Sequence, residues 1–393
     1  MQNIIIDKPY RFIPPVHSRL WPRLIKPFLP WYLDRRYGIT HVNYLGLEHL
    51  DASIAAGHGI LLTPNHCRDA DPPLMGLLGC RINHFVFLMA SWHVFMQSPL
   101  MRFIANRGGG FSIYREGMDR AAIDTAIDIL ESAERPLVIF PEGAISHTND
   151  RLNALQEGTA LIARSAAKRR AKRNPPGKVV VHPVGLRYRF MGNLQQSLGP
   201  VLDAIEHRLS WQPQRNLPLV DRVAKIGRAL LCLKEVEYLG EVQPGPIDLR
   251  ITRLIDHLLA PLEAEWLAGR REDTVIGRVK RLRIAILPDL VKGDITEAER
   301  QRRWRQLADI YLAQQLSNYP PDYIAQDPTP DRLLETVEHF EEDLTDTYTV
   351  HRPLHATISI APAIEVAPDR AEGLMQQIEE GIKQMLRQSR SPS

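Results

Sequence analysis

The sequence predicts an α/β fold, a mostly parallel sheet flanked by helices, with a helical C-terminal extension. Three observations carry that expectation. Four short apolar runs, residues 59–64 (GILLTP), 84–90 (HFVFLMA), 136–140 (PLVIF) and 179–184 (VVVHPV), read as strands buried on both faces. Residues 119–133 and 155–173 between them carry helical periodicity, and such alternation implies parallel strands joined by helices. Beyond Gly245 the pattern turns helical.

The opening forty residues hold seven basic side chains against Asp7 and Asp34, mixed with Trp21, Phe28, Trp31, Tyr32 and Tyr37. Pro14, Pro15, Pro22, Pro27 and Pro30 make long regular helices improbable there. Aromatic rings beside lysine and arginine suit the headgroup boundary of an anionic bilayer. An arm packed over the domain is the competing reading, and the residues do not choose between them.

Residues 1–14 include Asp7 and lack the basic-then-apolar run of a secretory signal, so export is not expected. The charge-free interval 82–101 is interrupted by Asn83, His84, Ser91, His93 and Gln97, too polar for a spanning helix. Cys67, Cys80 and Cys232 have no close pairing, which excludes a disulfide framework or four-cysteine zinc site and fits a reducing compartment. Hydrophobic residues at 44% and charged residues at 24% exclude a disordered or coiled-coil chain.

The chain divides into three regions: a basic aromatic arm (1–41), an α/β domain (42–245, with a soft boundary) and a mainly helical region of unassigned role (246–393). In the last, Thr296 and Glu299 form a capping-box signature before a long helix. Leu333, Leu334, Val337, Phe340 and Leu344 share one helical stripe, residues 355–360 add a strand, and residues 387–393 should fray. No internal repeat is evident.

Chemistry concentrates in residues 63–73, TPNHCRDADPP. An apolar strand ends at Pro64, and Asp71 before Pro72 has the form of an N-cap with proline at the first helical position. His66 then lies in a strand-to-helix turn, beyond the carboxyl end of a strand, where open parallel sheets bind ligands. A carboxylate on one imidazole nitrogen fixes the tautomer, leaving the other to take a proton. Asp71 is five positions on, so the two meet only if the segment turns. The competing reading makes Asp71 a helix cap and His66 a donor to a backbone carbonyl.

Three further segments accompany it: Arg107 to Arg115 (RGGGFSIYR), Phe140 to Ser146 (FPEGAIS) and Val181 to Gly185 (VHPVG). Taken with the His66 segment, they resemble the four blocks of the glycerolipid acyltransferases. Asn65, His66 and Asp71 match Asn-His-x4-Asp; Gly109 and Arg115 match the second block; Phe140, Pro141, Glu142 and Gly143 the third; and Pro183 the fourth.

The resemblance implies transfer of a fatty acyl group from a thioester, acyl-CoA or acyl carrier protein, to a hydroxyl of a lysophospholipid or glycerol-phosphate-like acceptor. It implies His66 as general base and Asp71 as its orienting partner. Arg115 would look toward the acceptor phosphate, and Gly109, Phe140, Pro141, Glu142, Gly143 and Pro183 would line the substrate site. No metal or organic cofactor is implied. The expected setting is cytoplasmic and peripheral, on an anionic membrane surface, with no nucleic-acid partner.

The third block departs from the pattern, having Ala144-Ile145-Ser146 where the family continues Thr-Arg-Ser. A second arginine near the phosphate is therefore missing, and Arg68 or Arg151 would have to supply it. Arg164 to Arg189 holds nine basic residues and no acids; the run 168–173 reads either as a solvated helix end or as a contact for lipid or CoA phosphate. Two rival functions remain open: a thioesterase using the same pair with water, and a non-catalytic lipid-binding scaffold.

Overall fold

The computed structural model describes residues 8–368 and 373–388, which form parts of two compact units. Of the described residues, the sheet unit comprises 10–114, 118–192, 350–368 and 373–388; the helical unit comprises 8–9, 115–117 and 193–349.

In the sheet unit the strands are β1 (Ile39–Leu45), β2 (Gly59–Pro64), β3 (Phe87–Ser91), β4 (Gly110–Ile113), β5 (Leu137–Val138) and β6 (Val179–Phe190). Its helices before residue 192 are α1 (Leu20–Ile25), α2 (Leu29–Tyr37), α3 (Leu47–Ala55), α4 (Asp71–Arg81), α5 (Trp92–Met96), α6 (Pro99–Arg107), α7 (Arg120–Ser132) and α8 (Gly158–Ala171). The helical unit contributes α9 (Leu194–Arg208), α10 (Leu219–Leu239), α11 (Ile247–Leu267), α12 (Val275–Lys292), α13 (Glu297–Ser317) and α14 (Pro330–Thr345). The chain then returns to the sheet unit with β7 (Leu354–Ile360), β8 (Ile364–Glu365) and α15 (Leu374–Gln388). The fraying expected for 387–393 falls, from residue 389 onward, outside the described residues.

Strand order is β1-β7-β6-β2-β5-β3-β4, with β8 pairing on β6. Pairs β1–β7, β6–β2, β2–β5, β5–β3 and β3–β4 are parallel, whereas β7 and β8 run antiparallel to β6, so the sheet is mixed but mostly parallel. Helices α7, α8 and α15 cover one face over Leu61, Phe87, Phe111 and Leu137, all fully buried. Side chains of this size contribute about 1.5–3 kcal/mol each on full burial.

Several element ends differ from the sequence expectation. The run PLVIF yields only two residues of strand: Ile139 N–H still reaches Leu62 C=O (3.1 Å), and the chain then turns, Gly143 N–H meeting Phe140 C=O (3.2 Å). The run VVVHPV continues to Phe190, because Leu186, Tyr188 and Phe190 alternate with Arg187 and Arg189. The prolines of the arm leave only the short helices α1 and α2, joined by a 3-10 turn.

The start of the arm packs over the sheet unit, as one of the two readings expects. Near its start, Ile13 bonds Ser112 through two backbone contacts, its N–H to Ser112 Oγ (2.8 Å) and its C=O from Ser112 N–H (3.0 Å). That covers the β4 edge, where unpaired backbone groups would otherwise face water. Further on, Leu20, Leu24, Phe28 and Trp31 are all more than half exposed. Among the described residues no helix is long and apolar enough to cross a membrane.

The helical unit begins at α9, before the boundary expected near residue 245, and one device explains why α9 and α10 fold with α11 and α12. Glu206 near the end of α9 pairs with Arg222 of α10, Glu235 of α10 with Arg250 of α11, and Glu263 of α11 with Arg278 of α12. The separations are 16, 15 and 15 residues, and in each case the arginine stands four places after the helix N-cap. This recurrence corrects the expectation of no internal repeat. The N-cap half of the Thr296 capping box is present, its hydroxyl accepting from Glu299 N–H (3.2 Å), while the Glu299 carboxylate pairs with Arg302 and Arg303.

Candidate active site

β2 and β5 are parallel neighbours, so the turns after both emerge from the same edge of the sheet. One carries His66 and the other Glu142. β6 runs parallel beside β2 as far as Val184 and continues past its end, which brings Tyr188 to the turn after β2.

Asn65 acts as an extra strand residue. Its backbone N–H meets Val184 C=O (3.4 Å), its side-chain amide donates to Leu186 C=O (3.0 Å), and its side-chain oxygen accepts from Leu186 N–H (2.7 Å). Asn149 clamps Tyr188 in the same way, accepting its N–H at 2.6 Å and donating to its C=O at 2.7 Å. The turn and the overhanging strand are thus fixed by paired amides.

His66 Nδ1 lies 2.9 Å from Asp71 Oδ2. Asp71 is fully buried, and the imidazole is 15% exposed, enough for substrate to reach it. A carboxylate accepting at Nδ1 selects the tautomer with its proton there, so in the neutral ring Nε2 carries the lone pair. The ring stacks on Phe140, with centroids 4.2 Å apart.

Asp71 differs from the expected N-cap. It is the first residue of α4, with Ala70 preceding it, and its carboxylate does not cap that helix. Oδ2 instead turns back to accept Cys67 N–H (2.7 Å) and Arg68 N–H (2.9 Å), which closes the loop around His66. Oδ1 accepts the Tyr188 hydroxyl at 2.5 Å. Burial, together with the Asp71 charge, pushes the Tyr188 hydroxyl well above its ordinary pKa, so it remains a donor.

Glu142, 2% exposed, takes His66 N–H on Oε1 (2.7 Å) and Asn153 N–H on Oε2 (3.0 Å). Ser146 N–H donates to His66 C=O at 2.8 Å, so the third block grips the histidine backbone on both sides. Burial raises the Glu142 pKa to about 8, the two N–H donors oppose the rise, and Asp71 adds to it. Gly143 turns the chain at φ 73°, a conformation open to glycine.

The remaining sequence-selected residues have other surroundings. Gly109, at φ 104°, lets β4 approach β3: a Cβ there would stand 2.7 Å from Val86 O. Pro183 pairs with Thr63 and packs against Gly381 of α15, on the face of β6 opposite the Tyr188 side chain. Arg115 is half-buried in the segment that folds with the helical unit, and desolvation lowers its pKa while Glu116 opposes. Arg68 lies over the Tyr188 ring, 5.4 Å from its centroid. In the basic run, Arg169 and Arg173 pair with Asp128 and Glu131 of α7, as a solvated helix end would.

Tyr188, Asn149 and Asn153 escaped sequence reasoning. The alternation after Gly185 was the available signal for Tyr188, since it places that ring on the same side of β6 as Val184 and Leu186.

With this geometry in view, residues 41–187 match the model of the Acyltransferase family. Those residues belong to the glycerolipid acyltransferases. The acyltransferase domain so defined contains His66, Asp71, Glu142 and Pro183, and it ends one residue before Tyr188. No curated protein matches the chain.

Proposed function

We propose that the protein transfers a fatty acyl group from an acyl-CoA or acyl carrier protein thioester to a hydroxyl of a lysophospholipid or glycerol-phosphate-like acceptor. The observation that carries this reading is the 2.9 Å contact between His66 Nδ1 and a fully buried Asp71, in the turn beyond β2. His66 Nε2 takes the acceptor's proton as its oxygen attacks the thioester carbonyl. The tetrahedral adduct then collapses, the C–S bond breaks, and the imidazolium returns the proton to the departing thiolate. Asp71 stabilises the imidazolium between those events.

Leu20, Leu24, Phe28 and Trp31 of the arm, with Leu100, Phe103 and Ile104 of α6, support peripheral binding to an anionic bilayer. Trp21 and Phe103 meet edge to face at 5.2 Å, joining α1 to α6; Arg23, Arg102 and Arg107 belong to the same helices, and Lys26 follows α1 directly.

The test incubates the full chain with labelled acyl-CoA or acyl carrier protein and a panel of lysolipids and glycerol 3-phosphate. Acyl transfer should depend on the acceptor and fall about 10²–10⁴-fold in His66→Ala. Fatty acid released at a rate indifferent to acceptor would assign a thioesterase. Absence of turnover, with equal lipid binding by both proteins, would assign a scaffold.

A further inference from the structure

Four parallel strands, β2, β5, β3 and β4, deliver their turns to one edge of the sheet, so the connection after β4 opens on the edge that carries His66. Asp119 pins the two ends of that connection. Its carboxylate, 8% exposed, accepts Ala122 N–H on Oδ1 (3.1 Å), which caps α7, and Tyr114 N–H on Oδ2 (2.9 Å). A third donor comes from the arm. Tyr10 gives its hydroxyl to Asp119 Oδ2 at 2.5 Å, and that hydroxyl lies 3.0 Å from Ser112 Oγ of β4. The Tyr10 ring stacks on Tyr114, centroids 4.9 Å apart, and meets Trp92, where the chain leaves β3, edge to face at 5.3 Å. Burial, then the bond to Asp119, raises the Tyr10 pKa, so the hydroxyl keeps its proton and donates.

The stretch of arm that carries Tyr10 is held mainly by polar contacts. Between Lys8 and Trp21, Ile13 alone is buried. Besides its pairing with Ser112, the grip consists of Asn106 Nδ2 on Pro14 C=O (2.7 Å), Arg135 Nη2 on Val16 C=O (3.2 Å) and His17 beside Glu134 (2.7 Å). A strap with so little buried apolar surface opens at low free-energy cost. It runs directly into α1, where Leu20 and Leu24 are exposed and Trp21 meets Phe103 of α6. One bilayer contacting both helices therefore holds the strap closed.

We propose that Tyr10 is a positioning residue that couples seating of the arm on an anionic bilayer to the connection after β4. With the strap closed, Asp119 holds three donors and the connection is fixed on the His66 edge. With it open, the carboxylate loses the Tyr10 hydroxyl, and both ends of the connection loosen. The bilayer shifts the balance because it binds the closed form better. The coupling rests on the proposed bilayer contact, and its consequence for turnover rests on the acyl-transfer reading.

The experiment follows amide hydrogen exchange in the full chain with and without vesicles of phosphatidylglycerol and phosphatidylcholine, alongside acyl transfer to a soluble acceptor. In wild type, vesicles should slow exchange at Tyr114 and Ala122 about fivefold or more and raise kcat/KM by a similar factor. Tyr10→Phe keeps the ring contacts and loses the hydroxyl. It should bind vesicles as wild type does, with slowing of about twofold or less at both amides and no rise in kcat/KM. Should that variant lose its thermal transition, Leu24→Ser replaces it: Tyr10 is intact, the seat is weaker, and slowing should need more vesicle. Equal slowing in wild type and Tyr10→Phe, slowing that does not follow vesicle binding, or a wild type that binds no vesicles overturns the coupling. Coupled exchange without acyl transfer would leave the coupling standing and remove the enzymatic reading; acyl transfer without Tyr10-dependent exchange would do the reverse.

Discussion

Glu206, Glu235 and Glu263 of the helical unit each meet a guanidinium, whereas Asp71 and Glu142 of the sheet unit are held by backbone N–H groups. The pKa shifts track the partners. Hydrogen bonds from Arg250 hold Glu235 below the ordinary carboxylate range, while burial lifts Glu142 to about 8. A carboxylate already neutralised by a fixed cation has little left to offer an imidazolium. Asp71, held by backbone N–H groups and the Tyr188 hydroxyl, is left facing the imidazole of His66, and this separates a structural acid from one suited to serve a base.

The largest expected effect breaks the catalytic side of that contrast. Asp71→Asn should lower kcat/KM about 10³-fold or more, because an amide at this place can leave the histidine in the wrong tautomer. Steady-state kinetics with a retained thermal transition checks it, and activity near wild type would place the carboxylate outside the chemistry.

On the structural side, Glu235→Leu leaves Arg250 buried beside no carboxylate and should cost about 3 kcal/mol in urea unfolding. The double change Glu235→Leu with Arg250→Met should recover most of that loss. Should the single variant be as stable as wild type, the repeated pair is not what ties these helices together.

Tyr188→Phe tests the dipole cage directly. Asp71 Oδ1 loses its hydroxyl donor in a fully buried place, a deficit of about 1–3 kcal/mol. A fall in kcat of about tenfold with KM unchanged is expected, since the tyrosine acts through Asp71 and not on substrate; a change confined to KM would point to substrate contact instead.

Glu142 gives a smaller effect with a definite sign. Its folded pKa, about 8, lies above the ordinary 4.5, so the native state holds a proton that the unfolded chain releases between those values. Its stabilising contribution is fully present below pH 4.5 and is lost as pH rises toward 8. The stability of wild type relative to Glu142→Gln should therefore shrink across that window, by on the order of 1 kcal/mol, discounted for the N–H donors that favour the anion. A gap that widens with pH would mean those donors outweigh burial.

The smallest change is at the surface: Trp31→Ser should reduce partition onto anionic vesicles by about threefold, with acyl transfer to a soluble acceptor unchanged.

Much of the sheet unit was legible because its strands are continuous apolar runs and its helices periodic, both properties of local sequence. His66 and Asp71 were legible through a motif whose prolines announce a turn. The ion pairs of the helical unit were present in the spacing of Glu206, Glu235 and Glu263 against Arg222, Arg250 and Arg278, but a repeat built from one pair per helix leaves little compositional trace. The pairing of β7 and β8 with β6 had no local signal, since a strand's partner is set by the chain it meets.

By itself the sequence determined the alternation of strands and helices, the turn bearing His66, and the excess of positive charge and aromatic rings in the arm. Tertiary structure alone decided that Asp71 serves the turn in place of its helix, that Glu142 grips the His66 backbone, and that Tyr188 completes the carboxylate's shell. The physical reason is one of range. Propensity and periodicity act over a few residues along the chain, whereas hydrogen bonds and charge pairing inside a fold join groups by distance in space, across separations as long as the 117 residues between Asp71 and Tyr188.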